Sequence, residues 1–342
     1  MKKILLLTAF LLPGFSALSQ EAEDPGNKYA EVTVVSRLDL DPEYSFEDSG
    51  IGFTHGNSSI YTLFEGSFSE HLSWTVVNHW ISSLNGEPDI DYGWPYKSLG
   101  RSDTSNWLDY CKLDLSFGQW GITLGKDMLG VLGYEYDPWD WEVHFPTCTP
   151  LASELTVCQW GAKVAYTTAS GLSNFSLQMT TSPCGEHPFS SGIWAFNGRW
   201  SGEYGFYSPI WSYTAIQYDR GSFRHILNFG NKFTFNDSLD LCLDYSLSPA
   251  VEKFYVPSYN CLRAELAYDG PGHFGCNIQG YVHFADEYDG ASFSAGAYAY
   301  YYPLSEDKIE DLRLHAGLSY DSSLSCATLS IGALFNLHIR CW

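Results

Sequence analysis

The sequence predicts an all-β chain, a transmembrane antiparallel up-and-down β-barrel of about sixteen strands, within a range of about 14 to 18. Three observations predict it. Apolar and polar residues alternate one by one, as in Leu239, Leu241, Leu243, Tyr245 and Leu247 against Asp240, Cys242, Asp244 and Ser246. Successive strand side chains point to opposite faces, so each such segment has one greasy and one polar face. The connections between segments alternate between tight and long. Aromatic residues make up 17% of the chain and charged residues only 17%, an unusual balance for a soluble domain.

The chain opens on Lys2 and Lys3, an apolar run from Ile4 to Leu12, Pro13 and Gly14, and small residues Ala17 and Ser19 at signal-cleavage spacing. Residues 1–19 read as a secretory signal peptide, and residues 20–342 as the barrel domain. A cut after Ser19 leaves Gln20 first, with no cysteine there to take a lipid. No later run approaches the ~18 apolar residues of a spanning helix. The expected location is therefore the cell outer membrane, with secretion or the periplasm as alternatives.

Losing Lys2 and Lys3 leaves 16 basic residues against 40 acidic ones, a net charge of −24. That balance argues against nucleic acid and against charge-driven binding to anionic lipid. It fits long loops facing a polyanionic cell surface.

Alternation and breaker residues place strands at 31–39, 58–68, 71–82, 106–117, 120–127, 155–168, 174–182 and 191–200. The second half gives 204–217, 222–235, 238–247, 258–269, 273–285, 291–302, 309–320 and 324–341. Tight turns fall at Ser69-Glu70, Gly118-Gln119, 169–173, 201–203, Asn236-Asp237 and 270–272; long loops fall at 83–105, 128–154, 183–190 and 248–257. Short turns on one side and long loops on the other is how membrane barrels are built. An even strand count puts both termini on the short-turn side, the periplasm.

Aromatic residues sit beside the tight turns: Phe68, Trp74, Phe117, Trp120, Trp200, Tyr204, Phe235, Tyr268, Phe274, Tyr320 and Trp342. Amphipathic rings prefer the headgroup level of a bilayer, so they read as a girdle. The bland alternative is that they fill a soluble sandwich or propeller core. Closure follows from physics, because hydrocarbon leaves no partner for an unpaired backbone group and only an edgeless sheet can span it. About fourteen to sixteen strands enclose a lumen wide enough for water.

With the apolar parity outward, Leu113, Leu115, Phe117, Trp160, Ala162 and Val164 face lipid, the first expected partner. Lys112, Asp114, Lys163, Arg199, Arg224, Lys232, Asp240, Asp244, Arg263, Glu265, Arg313, His315, His338 and Arg340 then face inward as candidate pore-lining residues. A basic residue on the lipid face costs about 2–4 kcal/mol at mid-bilayer, so this sorting is what any barrel requires. Half of the 16 mature basic residues fall in this set, which hints at a lumen that tolerates anions. The same charges could instead form a salt-bridged plug.

The longest loop opens with Lys126 and carries Glu135, Asp137, Asp140 and Glu142 among Trp139 and Trp141. Acidic and aromatic, it is the candidate to fold inward as a constriction. The alternative is a solvated outer loop whose tryptophans rest on the girdle.

A strand ending Leu124-Gly125-Lys126-Asp127, a spacer, and Leu132-Gly133-Tyr134-Glu135, preceded by the alternating Leu108 to Phe117, resembles the porins of Bacteroidetes outer membranes. The likeness is to the β-barrel porin-2, OmpL-like group and, more distantly, to the phosphate-selective porins. It is specific over residues 106–168. It implies passive diffusion of small hydrophilic solutes or ions, a constriction near the loop after Lys126, and a homotrimer. The chain departs from the phosphate-selective pattern in lacking a dense run of basic residues in one strand. It departs again at its end, where Phe335, Leu337, Ile339 and Cys341 carry the apolar face and Trp342 is out of phase. A bulge near Arg340 would restore the terminal aromatic that barrel-assembly machinery reads; a looser signal is the alternative.

Nine cysteines leave at least one unpaired within the chain. Parity puts Cys111, Cys158, Cys276 and Cys341 on the lipid face and Cys242, Cys261 and Cys326 on the lumen face. Cys148 and Cys184 lie in neighbouring long loops on one side, so a loop-stapling disulfide between them is an expectation. No zinc, redox, hydrolase or phosphate-loop motif is present, so no metal, cofactor or catalytic residue is expected, with a plugged structural or adhesin barrel and a rim-catalytic outer-membrane enzyme as the alternatives to a channel. His79, His225, His283 and His315 sit on strands near Ser or Asp without the spacing of a nucleophile and base. Glu87, Asp89 and Asp91 read as a solvated acidic loop, with Ca2+ binding as the alternative.

Overall fold

Strict alternation forces strands, and strands with a polar and an apolar face must close or pair. The computed structural model describes residues 28–54, 58–81, 108–139, 142–185, 189–250, 253–270, 272–284, 291–304 and 312–340. Its strands are β1 (Tyr29–Ser45), β2 (Gly50–Thr54), β3 (Ser59–Ser69), β4 (Leu72–Ile81), β5 (Leu108–Phe117), β6 (Trp120–Met128), β7 (Cys158–Thr167), β8 (Ser173–Thr181) and β9 (Trp194–Gly202). They continue as β10 (Tyr207–Asp219), β11 (Ser222–Asn236), β12 (Leu239–Ala250), β13 (Lys253–Tyr268), β14 (Phe274–Phe284), β15 (Ala291–Tyr301), β16 (Leu312–Asp321) and β17 (Cys326–Arg340).

All neighbours are antiparallel, and β1 closes the sheet on β17 from Glu31↔Arg340 to Leu40↔Ile331. On its other flank β1 meets β3 from Tyr29↔Ser67 to Arg37↔Ser59, then β2 from Asp41↔Thr54. Four steps along β1 there match five along the facing strand. So β2 and β3 are one stave with an extra residue between them, and the seventeen strands make a closed sixteen-stave barrel. Every predicted strand corresponds to one stave. β1 runs on from Leu40 to Ser45 with β2 beside it, and the long loop expected at 248–257 is largely strand, β12 reaching Ala250 and β13 starting at Lys253, because Pro249 and Pro257, which read as breakers, face each other at a register shift in the ladder. The ladder into Arg340 runs without a register shift, so the bulge expected near Arg340 is absent among the described residues. Cys341 and Trp342 lie outside the described residues, as do residues 1–27 and the acidic Glu87, Asp89 and Asp91.

The outer wall is apolar. Leu177 is 73% exposed and Ile278 61%, while Gln178 and Gln279 beside them are buried inside. Leu113, Phe117 and Val164 face outward as expected, and Phe335, Leu337 and Ile339 carry the outer face of β17. Rings line the short-turn rim, with Trp120 on Tyr166 (centroids 4.9 Å), Trp200 on Trp211 (5.1 Å) and Phe274 on Tyr301 (4.9 Å). Tyr320 corrects the predicted girdle: it lies at the opposite rim, packed on Phe46 (5.9 Å) and Phe293 (5.8 Å). The reason is strand direction, since β16 runs towards the long-loop rim and carries Tyr320 there. The side-chain core of the molecule sits inside the barrel, where the polypeptide between β6 and β7 fills space.

Candidate functional site

Leaving β6 at Met128, the chain does not stay at the rim. Leu129 N–H donates to Val157 O (2.8 Å), which ties the loop's two ends together. From there residues 129–157 run across the lumen, held by each wall they pass. Asn197 on β9 donates to Gly130 O (2.8 Å) and Ser212 on β10 to Val131 O (2.9 Å). At the short 3-10 turn Tyr134–Tyr136, the backbone N–H groups of Tyr134 and Glu135 donate to Asp244 on β12 (3.0 and 3.1 Å). Gly133 lets this happen: a Cβ there would collide with Asp244 Oδ1 and come within 2.8 Å of Asn228 Oδ1. Glu135 in turn accepts from Thr149 N–H (2.6 Å) and Thr149 Oγ1 (2.7 Å), pinning the loop to itself.

The second half of the loop docks on the far wall. Trp139 packs edge-on against Tyr110 of β5 (5.5 Å), inside the barrel and away from the girdle. Arg37 on β1 donates to Val143 O (2.7 Å), and Glu142 pairs with Arg313 on β16 (3.8 Å). His144 stacks on Tyr298 of β15 (3.6 Å, 9°), with Nε2 2.9 Å from Tyr300 Oη. Gln279 on β14 donates to Thr147 Oγ1, and Thr149 caps the short helix α1 (Pro150–Glu154) by accepting from Ala152 N–H (3.3 Å). Leu129, Val131, Leu132, Leu151 and Leu155 pack on inward Ile216, Ile226, Tyr259 and Cys261. Of the two readings the sequence leaves open for this loop, these contacts are those of the inward one, and they are more extensive than a bare constriction.

The predicted pore-lining set separates into groups. Lys112 and Lys163 both reach Asp127 (3.3 and 2.6 Å), with Asp114 3.8 Å from Lys112. Lys232 pairs with Asp240 (2.9 Å), and Arg263 with Glu265 (2.6 Å) and Asp244 (3.5 Å). His315 lies 2.8 Å from Asp39, which also holds Arg37 (2.8 Å). Arg224 donates to Ser248 (2.9 Å). His338 lies at the short-turn rim, 3.5 Å from Glu31, with Arg340 exposed beside it. Arg199 faces inward, with no ion pair or hydrogen bond among the described residues. Most inward basic residues thus carry their own counter-charge, which removes the ground for reading the basic count as a free anion path.

Of the loop candidates, Lys126 belongs to the wall: it remains on β6, where its Nζ donates to Leu108 O (2.5 Å). Asp140 and Trp141 lie outside the described residues. Burial pushes Glu135 above its ordinary value and raises Asp137 to about 7, against the pull of Arg199 and Lys232. Both Asp137 carboxylate oxygens are buried and accept no hydrogen bond from the described residues. His144 is driven well below its ordinary value by burial, with Arg37, His315 and Arg313 opposing its charge further.

The disulfide expected between Cys148 and Cys184 is not formed; both are thiols. Cys148 Sγ–H donates to His144 O (3.5 Å), whereas Cys184 lies against the apolar cluster around Leu129. Loop insertion separates the surroundings of two residues that sequence order makes neighbours. Among the histidines, His79 lies 2.7 Å from Asp109, and His225 is on the outer wall with Nδ1 2.7 Å from Tyr213 Oη. Among the described residues no group of three His, Cys, Asp or Glu is placed to hold a metal. The sequence reading missed Arg37 and Asp39, although both share the inward parity of β1. It missed His144 because no periodicity marks a loop residue.

No protein-family profile and no curated protein matches the chain. Solved structures do. The OmpF of Salmonella typhi, solved with daunomycin, aligns with a TM-score of 0.64 at 10% identity over 92% of this chain and 98% of that one. An anion-selective porin from Comamonas acidovorans gives 0.60 at 10% identity, over 91% and 100%. A mutant porin of Rh. blastica gives 0.57 at 12% identity, over 90% and 100%. The fold of this chain is the porin fold.

Proposed function

We propose that this chain is an outer-membrane channel of porin type through which small hydrophilic solutes or ions diffuse passively, narrowed by the inserted loop 129–157. The observation that carries the reading is the combination of a closed sixteen-stave wall, apolar outside and polar inside, with a loop pinned across its lumen. An exposed band of Leu, Ile, Phe and Trp over a whole sheet surface is untenable in water and fits a bilayer. Residues 1–19 then act as the export signal, and barrel-assembly machinery inserts residues 20–342. Membership of the OmpL-like porin-2 group and a homotrimeric state are part of the proposal, resting on the resemblance around residues 106–168.

The decisive test is planar-bilayer conductance of the refolded protein, with heat-modifiable gel mobility to show that the barrel is closed. Discrete conductance steps are expected. A second reading, a plugged structural or adhesive barrel, is favoured by the apolar cluster of Leu129, Leu132 and Leu151 within the lumen. A folded, heat-modifiable barrel that gives no steps would establish that reading in place of the channel.

A further inference from the structure

Among the described residues most inward cations have a carboxylate partner, while Arg224 is held by Ser248 and Lys126 by Leu108 O. Arg37, Lys112, Lys163, Lys232, Arg263 and Arg313 have carboxylate partners at 2.6–3.8 Å. Arg199 is different, since the described structure gives its guanidinium neither an ion pair nor a hydrogen bond. Its ladder neighbours Ser176 and Ser212 bring hydroxyls of the same inward parity and no charge. The inserted loop passes directly over it: a Cβ at Gly130 would lie 3.3 Å from Arg199 Cδ and 3.4 Å from its Nη1.

The acid that acts on Arg199 most strongly is Asp137 of that loop. Asp137 is as uncommitted as Arg199, both of its carboxylate oxygens being buried without a donor. The charged or titratable groups around it are Arg199 from β9, Lys232 from β11, Asp244 from β12, and Tyr134 and Glu135 of its own segment. All but Arg199 are engaged. Lys232 is bound to Asp240, Asp244 holds two loop N–H groups, Glu135 holds Thr149, and Tyr134 Oη donates to Ser208 O (2.8 Å).

We propose that Arg199 is an anion subsite of the lumen, suited to small carboxylates and similar monoanions, and that Asp137 is its proton-operated counter-charge. This deepens the channel reading and rests on it for any effect on permeation. With Asp137 ionised the pair is neutral, and an arriving anion gains little. With Asp137 protonated the guanidinium is bare, and its planar fork can take a carboxylate by two parallel hydrogen bonds. Because burial raises Asp137 to about 7, the exchange falls in the neutral range. Anion preference is present below that value and is lost as pH rises through it.

The test is the reversal potential of the bilayer-inserted protein in a potassium acetate gradient, scanned from about pH 9 to about pH 5. The acetate-to-potassium permeability ratio should rise on the order of tenfold on acidification, which corresponds to about 1.4 kcal/mol of added anion stabilisation. Asp137→Asn should hold the high ratio at every pH, and Arg199→Gln the low one. A ratio flat with pH in the wild type, or a wild-type profile in either variant, overturns the proposal. Fluorine NMR line broadening of trifluoroacetate by the detergent-solubilised protein reads the subsite without conduction. Broadening at low pH that Arg199→Gln removes supports the subsite even where no current flows; its absence in the wild type rejects it. Heat-modifiable mobility confirms that each variant is folded.

Discussion

Replacing Asp244 with alanine should unpin the inserted loop while leaving the barrel closed. Asp244 accepts the backbone N–H groups of Tyr134 and Glu135 at 3.0 and 3.1 Å, at the point where the loop turns across the lumen. Hydrogen bonds to an ionised acceptor are worth about 1.5–3 kcal/mol each, so the two together hold about 3–6 kcal/mol. Removing the carboxylate also relieves the cost of burying it, which offsets about a third to a half of this and leaves a net loss of about 2–3 kcal/mol. At about 1.4 kcal/mol per factor of ten, the population with this turn detached should rise about 30- to 150-fold. Arg263 is not orphaned, because it keeps Glu265 at 2.6 Å and Gln279 at 3.2 Å. The β12 ladder is made by backbone groups and persists. Single-channel recording should therefore show larger or noisier open currents from a protein with unchanged heat-modifiable mobility. Currents identical to wild type in amplitude and noise would refute the idea that Asp244 holds the constriction.

Other perturbations test neighbouring parts of the argument. Gly133→Ala should displace the same turn by steric force, since its Cβ would meet Asp244 and Asn228, and limited proteolysis should cut the loop faster than in wild type. Leu177→Arg, on the most exposed part of the wall, should cost about 2–4 kcal/mol of folding stability in lipid vesicles, read by urea titration. An unchanged midpoint would mean that this face does not meet hydrocarbon. For His144 the folded state disfavours the proton, so docking of residues 142–147 is at full strength above the ordinary histidine value of 6.5 and weakens as pH falls below it. His144→Gln should flatten that pH dependence of proteolytic protection.

How much was legible in the sequence can be judged residue by residue. Leu239 to Leu247 declare a strand and its two faces, because a period of two has one geometric meaning. The same parity turns Lys112, Lys163, Arg263 and Arg313 inward, where their carboxylate partners stand. It also misassigned Tyr320, for a ring near a connection marks a rim without saying which one until strands are counted in order. The inward loop was visible only as an unusual composition around Glu135 and Trp139, with an outer-loop alternative equally open.

By itself the sequence determined the architecture: alternation fixes the faces, charge avoidance of the outer wall fixes the parity, and the lack of backbone partners in hydrocarbon requires closure. Those are local or one-dimensional constraints, each readable from residue spacing. Only the tertiary structure decided what the lumen does with its charges. The pairing of Asp39 with both Arg37 and His315, the seat of Glu135 on Thr149, and the lack of a described ion pair at Arg199 depend on which strands close the ring and where a loop of irregular period comes to rest. No periodicity encodes that, because it is settled by through-space contacts between residues far apart in the chain.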